Sequence, residues 1–151
     1  MEAEQIIARL GLSPHPEGGW YAETWRGPPG PDGRAVGTAI HFLLEAHQHS
    51  HWHRVDATEL WLWQLGAPVE LAIGRRRVTL GPDLAAGQRL QGIVPPDVWQ
   101  AAWPLGGWAL VSCIVAPGFS FAGFTLAPPG WTPDLAPGPD PDASGGRGDE
   151  R

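Results

Sequence analysis

The segment from His47 to Glu59 holds the densest set of side chains that could do chemistry. It carries four of the six histidines, at alternate positions 47, 49, 51 and 53. In an extended strand, residues i and i+2 share a face, so His51 and His53 are predicted to point at one centre, which a turn would bring near the Glu59 carboxylate. The alternative is a histidine-rich surface loop that binds metal only adventitiously, and the polar surroundings of His47 and His49 favour that interpretation for those two residues.

A centre built from imidazole and carboxylate suits a divalent transition metal such as Fe, Mn, Zn or Ni. The same groups could also serve a buried polar site without metal. The sequence favours a genuine polar site at His51, His53 and Glu59 and leaves its metal content open.

Short strands are expected to position these residues. The chain has 21 glycines and 17 prolines in 151 residues, and both residue types interrupt helices. One short amphipathic helix is predicted over residues 2–10, with Gly11 as its stop signal. Strand-like runs bounded by Gly, Pro or Asp then recur at about residues 20–25, 36–44, 58–64, 68–73, 76–80, 89–94, 98–103 and 108–116. This pattern predicts an all-β sandwich or small barrel.

Length and composition predict one domain and exclude several functions. We expect a folded domain over residues 1–127 and a disordered tail over 128–151, because apolar residues almost disappear near the end. The net charge of −6 argues against nucleic-acid binding, and the absence of lysine excludes Schiff-base chemistry. Cys113 lies in an apolar run and is expected to be a buried thiol. With no membrane-spanning or signal segment recognised, we expect a cytoplasmic protein without a membrane partner.

Aromatic residues beside polar candidates predict a small-molecule pocket. Nine tryptophans supply large apolar surfaces with one polar N–H each, although some of them must form ordinary core. Glu17 precedes two glycines that allow close backbone approach to a ligand, and a tight turn is the equal alternative there. The predicted ligand-binding residues are Glu17, Trp20, Arg26, Trp52, Trp61, Trp99 and Gln100.

Three stretches resemble a known family. The pattern His51-x-His53-x5-Glu59-x6-Gly66 is similar to the first cupin motif, and Pro95–Gln100 is similar to the second, with Gln100 at its histidine position. The opening segment Pro14–Arg26 gives a more specific resemblance than either of these two motifs. Together they resemble the small type-5 cupin family over about residues 5–127. The resemblance implies a double-stranded β-helix, the cupin jelly roll, with a pocket inside the barrel and a homodimeric assembly.

The resemblance also implies metal ligands, with departures. His51, His53 and Glu59 match the ligand positions of the first motif, and Gln100 stands as a weaker fourth ligand because an amide oxygen binds transition metals less well than imidazole. This substitution weakens the case for a fully ligated metal.

Three functions stay open at this stage. The first in our ordering is the binding of a small polar metabolite in the barrel interior, with or without a divalent metal. A metal-assisted enzyme is one alternative. The other is a metal-free epimerase or isomerase of the sugar-nucleotide type, in which His53 acts as base, Glu59 orients it and Tyr21 or a second carboxylate returns the proton.

Overall fold

The computed structural model describes residues 1–134, and residues 135–151 lie outside the described part. Most of the predicted tail therefore falls outside the described residues, and the domain boundary at residue 127 stays a prediction. Trp131, within the described part, packs its ring against Trp99 with a centroid distance of 4.5 Å. Over residues 1–134, no helix has the length and apolar character needed to cross a membrane.

The predicted all-β architecture is confirmed. One α-helix, α1 (Ala3–Leu10), precedes eleven strands in the described residues. The strands are β1 (Ser13–Pro14), β2 (Trp20–Arg26), β3 (Thr38–Leu44), β4 (Ser50–Val55), β5 (Thr58–Gly66), β6 (Val69–Ile73), β7 (Arg76–Leu80), β8 (Gln91–Val94), β9 (Gln100–Pro104), β10 (Ala109–Ala116) and β11 (Phe124–Leu126).

Helix α1 closes one outer face of the barrel. Its start is fixed by the Gln5 side chain, whose Oε1 accepts from the Glu2 backbone N–H at 2.8 Å, and Gly11 ends it in the left-handed conformation. Ile6 is buried against Leu43 and Leu110 of the sheet. The helix therefore covers apolar positions on the outside of strands β3 and β10.

Two antiparallel sheets face each other around the core. The first has the order β1-β2-β3-β10-β5-β8 and the second has the order β11-β4-β9-β6-β7. Alternate side chains of both sheets meet in one apolar cluster, which includes Phe42, Trp61, Leu71 and Val111. This cluster fills one end of the space between the sheets, and polar side chains occupy the other end.

A β-bulge in β4 decides which residues of the histidine-rich segment face inward. Ser50 pairs with Ala102 and His53 pairs with Gln100, so β4 has one more residue than β9 between these two pairs. An inserted residue breaks the two-residue alternation of a strand. As a result Ser50 and His53 both face the interior.

The loop before β2 depends on a glycine at position 18. Gly18 has φ +108°, and a methyl group on its Cα would collide with the backbone carbonyl of His49. This close approach brings the loop against β4, where the His51 backbone N–H donates to the Glu17 carbonyl oxygen at 2.7 Å. The glycine therefore sets the position of its neighbour Glu17.

We predict that Gly18→Ala lowers the free energy of unfolding by about 3 kcal/mol, from left-handed strain together with displacement of the loop. The control is Gly33→Ala, because Gly33 has φ +84° but open space where the alanine methyl group would project, so this variant should lose only about 1 kcal/mol. Urea unfolding of both variants measures the difference, and equal losses would contradict the role of the close approach.

Candidate functional site

A cavity of about 130 Å³ lies between the sheets at the polar end of the core. Its walls come from β2, β3, β4, β5 and β10 together with the loops before β2 and after β10. The lining residues are His15, Glu17, Tyr21, Glu23, Arg26, Thr38, Ile40, His53, Val55, Glu59, Cys113, Val115, Phe119 and Phe121.

Glu17 lies at the centre of the polar cluster. Its side chain is 9% exposed, and its Oε2 accepts a hydrogen bond from the Ser50 hydroxyl. The same oxygen lies 3.5 Å from His53 Nδ1, and Oε1 lies 3.3 Å from His15 Nδ1. One carboxyl group thus contacts side chains from the loop and from both ends of the bulge in β4.

Backbone contacts assign the tautomer of His53. Its Nδ1 lies 2.7 Å from the carbonyl oxygen of His51, and a carbonyl can only accept. Nδ1 therefore carries the proton, and in the neutral ring Nε2 has the free lone pair. His53 is 1% exposed and lines the cavity, so Nε2 is the acceptor that this ring offers to a ligand.

His15 has the opposite tautomer. The Glu17 backbone N–H donates to His15 Nδ1 at 3.1 Å, so Nδ1 holds the lone pair and Nε2 carries the proton. The ring contacts Tyr21 edge-to-face, with centroids 4.5 Å apart, and it also touches Phe42 and Phe124. The cavity is therefore lined by one imidazole that accepts and one that donates.

A relay of hydrogen bonds fixes Glu59 from behind the cavity. The Gln100 amide donates to Glu59 Oε1 at 2.8 Å, and the Trp61 indole N–H donates to Gln100 Oε1 at 2.8 Å. The thiol of Cys113 also donates to the Glu59 carboxyl. Each member of this group is nearly inaccessible to solvent, so the Glu59 carboxyl is held in one orientation.

Burial changes the protonation of all four central groups. Desolvation raises the pKa of Glu17 to about 8, against a smaller lowering by the Ser50 hydroxyl. Desolvation likewise raises the pKa of Glu59 to about 7, which the nearby His53 partly offsets. Burial lowers the pKa of His15 to about 4 and also lowers the pKa of His53. At neutral pH both imidazoles are therefore uncharged, and at least one carboxyl is protonated.

The structure brings together part of the predicted site. Tyr21, Glu17, Arg26, His53 and Glu59 all line the cavity, whereas Trp61 and Gln100 lie behind it in the relay.

The three other predicted tryptophans lie elsewhere. Trp20 donates its indole N–H to Glu45 Oε1 at 2.8 Å and packs beside helix α1. Trp52 and Trp99 pack with Trp131 on the outer face of the second sheet. None of these three tryptophans is among the described residues that line the interior cavity.

The expectation that His51 and His53 point at one centre is wrong. His51 Nε2 contacts the Pro128 carbonyl oxygen at 2.9 Å, and its ring lines a groove on the outside of the barrel. The bulge in β4 is the physical reason, because it places both His51 and Trp52 outward between two inward residues.

The four predicted metal ligands do not fit one metal ion in this arrangement. His51 faces outward, and the Gln100 oxygen that would ligate a metal already accepts from Trp61. Across residues 1–134, no three His, Cys, Asp or Glu side chains are grouped closely enough to hold one ion. Binding of Fe, Mn, Zn or Ni stays a prediction.

Two functional residues were missed from the sequence. His15 contacts Glu17 and Ser50 holds its carboxyl, but neither was singled out. His15 had a local signal, because it stands two residues before Glu17 in the motif Pro14–Arg26. Ser50 had none, since its inward direction depends on the bulge.

Two antiparallel sheets around an interior cavity define a double-stranded β-helix protein of the cupin type. The fold is similar to that of an uncharacterised conserved protein with a double-stranded beta-helix domain from Klebsiella pneumoniae, with a TM-score of 0.58 and 15% identity over 81% of this chain and 94% of that chain.

Comparisons at higher sequence identity, together with a family model, identify the family of this chain. The family model described as Cupin superfamily (DUF985) matches residues 4–127, and the chain belongs to this family. A protein from Shewanella oneidensis is 34% identical, with a TM-score of 0.78 over 84% of this chain and 85% of that chain. A hypothetical protein from Leishmania major is 32% identical, with a TM-score of 0.76 over 84% and 88%. No match was found among curated proteins.

We predict that the protein loses stability as the pH rises from about 6.5 to 8. The folded-state pKa values of Glu17, about 8, and Glu59, about 7, exceed their ordinary value of 4.5, so in this range the native state holds protons that the unfolded chain has released, and unfolding becomes easier. The lowered pKa values of His15, about 4 against 6.5, and of His53 act with the opposite sign. This opposing effect fades above pH 6.5 as the unfolded histidines also lose their protons, so the two carboxyls dominate.

Urea unfolding at several pH values checks this prediction. Glu17→Gln removes one of the two carboxyls and should flatten the decline. Glu23→Gln, which changes a carboxyl that is 40% exposed, should keep the wild-type slope. An unchanged decline in Glu17→Gln would contradict the assignment.

Proposed function

We propose that the protein binds a small polar metabolite inside the barrel. The observation that carries this proposal is the Glu17–His53 pair, with 3.5 Å between Oε2 and Nδ1, buried at the wall of a cavity. Burying a carboxyl and an imidazole carries a desolvation cost that their hydrogen bonds must offset, and perturbed titratable groups in a cavity are typical of functional sites.

The cavity has a route to solvent. Glu23 and Arg26 line it, and their side chains are 40% and 51% exposed, which places them at its mouth. Arg26 pairs with Glu23 Oε1 at 2.7 Å and donates to the Phe119 carbonyl oxygen. A ligand can therefore enter beside this pair without opening the sheets.

We infer acid–base isomerisation as the second candidate function, because a candidate base and a candidate acid line the same cavity. His53 Nε2 has a free lone pair, and Glu17, with its raised pKa, holds a proton at neutral pH. The sequence-based scheme paired His53 with Glu59 and had Tyr21 or a second carboxylate return the proton. Glu17 fits the role of that second carboxylate, because it lines the same cavity as His53 and its raised pKa supplies a proton.

Binding in the interior predicts sensitivity to cavity volume. Saturation-transfer NMR with a mixture of small hydroxy compounds, amides, amines and carboxylates should detect a bound member. Val115→Leu adds a methylene at the cavity wall and should weaken that binding at least about tenfold. The control Val36→Leu changes a residue that is 48% exposed and should bind like the wild type. Absence of any bound member, or equal binding by both variants, would refute interior binding.

Isomerisation predicts proton exchange. Hydroxyacetone, whose α-hydrogens can be removed by a base, should exchange them for deuterium in heavy water in the presence of the protein. Glu17→Gln should reduce this exchange at least about 100-fold if Glu17 is the acid, whereas Glu70→Gln, at a carboxyl that is 37% exposed and lies outside the cavity lining, should leave it unchanged. Proton NMR follows the loss of the α-hydrogen signal, and a wild-type rate equal to that of buffer would eliminate the second candidate.

A further inference from the structure

We propose that the cavity selects an uncharged molecule of about six non-hydrogen atoms that carries at least one hydrogen-bond donor and one acceptor. A short hydroxyamide or hydroxyketone is of this class, whereas anions and sugar nucleotides are not. This inference rests on the proposed function and names the chemical class of its ligand.

Volume sets the size of the ligand. The cavity measures about 130 Å³, and an engineered protein cavity of about 150 Å³ encloses benzene, which has six non-hydrogen atoms. A sugar nucleotide has several times that number and would have to remain mostly outside the barrel.

The two imidazoles set the hydrogen-bonding pattern. His53 has its proton on Nδ1, where the His51 carbonyl accepts it, and so presents an acceptor at Nε2. His15 accepts the Glu17 backbone N–H at Nδ1 and so presents a donor at Nε2. Because backbone groups fix both tautomers, a ligand with at least one donor and one acceptor matches the site without any change in protonation.

The carboxyls offer little to a cationic ligand, because their oxygens already have partners in the protein. Glu17 accepts from Ser50 at one oxygen and lies against His15 with the other. Glu59 accepts from Gln100 and from the thiol of Cys113. A cation would have to compete with these buried bonds, each of which is costly to leave unmade.

An anionic ligand lacks a partner in the interior. Arg26 is the one arginine among the described residues that line the cavity, and its half-exposed side chain pairs with Glu23 at the mouth. Deeper in, an anion would meet the two carboxyls and the apolar side chains of Ile40 and Val55. An unpaired buried charge is strongly unfavourable.

Three probes of similar size and different charge test the class. Lactamide is uncharged, lactate is its anionic counterpart and 1-amino-2-propanol is cationic at pH 7. Titrations followed by the ring ¹⁵N resonances of histidine should give saturable binding of lactamide with a dissociation constant of about 1 mM. Lactate and 1-amino-2-propanol should each bind at least tenfold more weakly. The same spectra should show His53 protonated at Nδ1 and His15 protonated at Nε2.

The controls separate this inference from the proposed function. His53→Ala should abolish lactamide binding, and His47→Ala, at a residue whose side chain is 76% exposed, should preserve it. Tighter binding of lactate or of 1-amino-2-propanol, or the opposite tautomers in the wild type, would overturn the ligand class while interior binding stands. If no probe and no member of the mixture of small polar compounds binds, both proposals fail. The tautomer spectra need no variant, so they remain decisive even if His53→Ala does not fold.

Discussion

The desolvation of the Glu17 carboxyl is the constraint on which the rest of the site depends. Taken out of water, this group favours its protonated form, and its two oxygens need partners from the protein. Ser50, His15 and His53 provide those contacts. Separate parts of the chain must therefore be positioned closely around one carboxyl, and the loop, the bulge and the glycine at position 18 can each be understood as meeting that requirement.

The bulge in β4 also divides the histidine-rich segment between two environments. A regular strand would place Ser50 and Trp52 on one face with His51 and His53 on the other. With one extra residue, Ser50 and His53 reach the interior while His51 and Trp52 reach the outer surface. The interior thereby gains a hydroxyl donor for Glu17 beside a neutral imidazole, and the barrel wall keeps its large aromatic residue outside, where Trp131 covers it.

How well the sequence predicts each feature depends on whether that feature arises from neighbouring residues or from contacts between residues far apart in the chain. Helix α1 and eight of the eleven described strands follow from local alternation and from turn residues, so the sequence predicts them. Strands β1, β4 and β11 are absent from the predicted runs. Glu17 and His53 were also predicted, from the residue types in their motifs. The direction of His51 was not, because a bulge depends on pairing between β4 and β9, which are distant in sequence. Trp20 was misplaced for a similar reason: its partner, Glu45, is 25 residues away.

Gln100 shows how a single substitution alters what such a barrel can do. An imidazole at this position could present a lone pair to a metal. The amide instead accepts from Trp61 and donates to Glu59, so both of its ends serve hydrogen bonds within the protein. Its donor end orients Glu59, whose raised pKa shows that one amide does not offset the desolvation of the carboxyl. Gln100 thus holds Glu59, a carboxyl with a raised pKa, in a fixed orientation at the cavity wall. This arrangement favours recognition of a ligand by hydrogen bonds over recognition by charge.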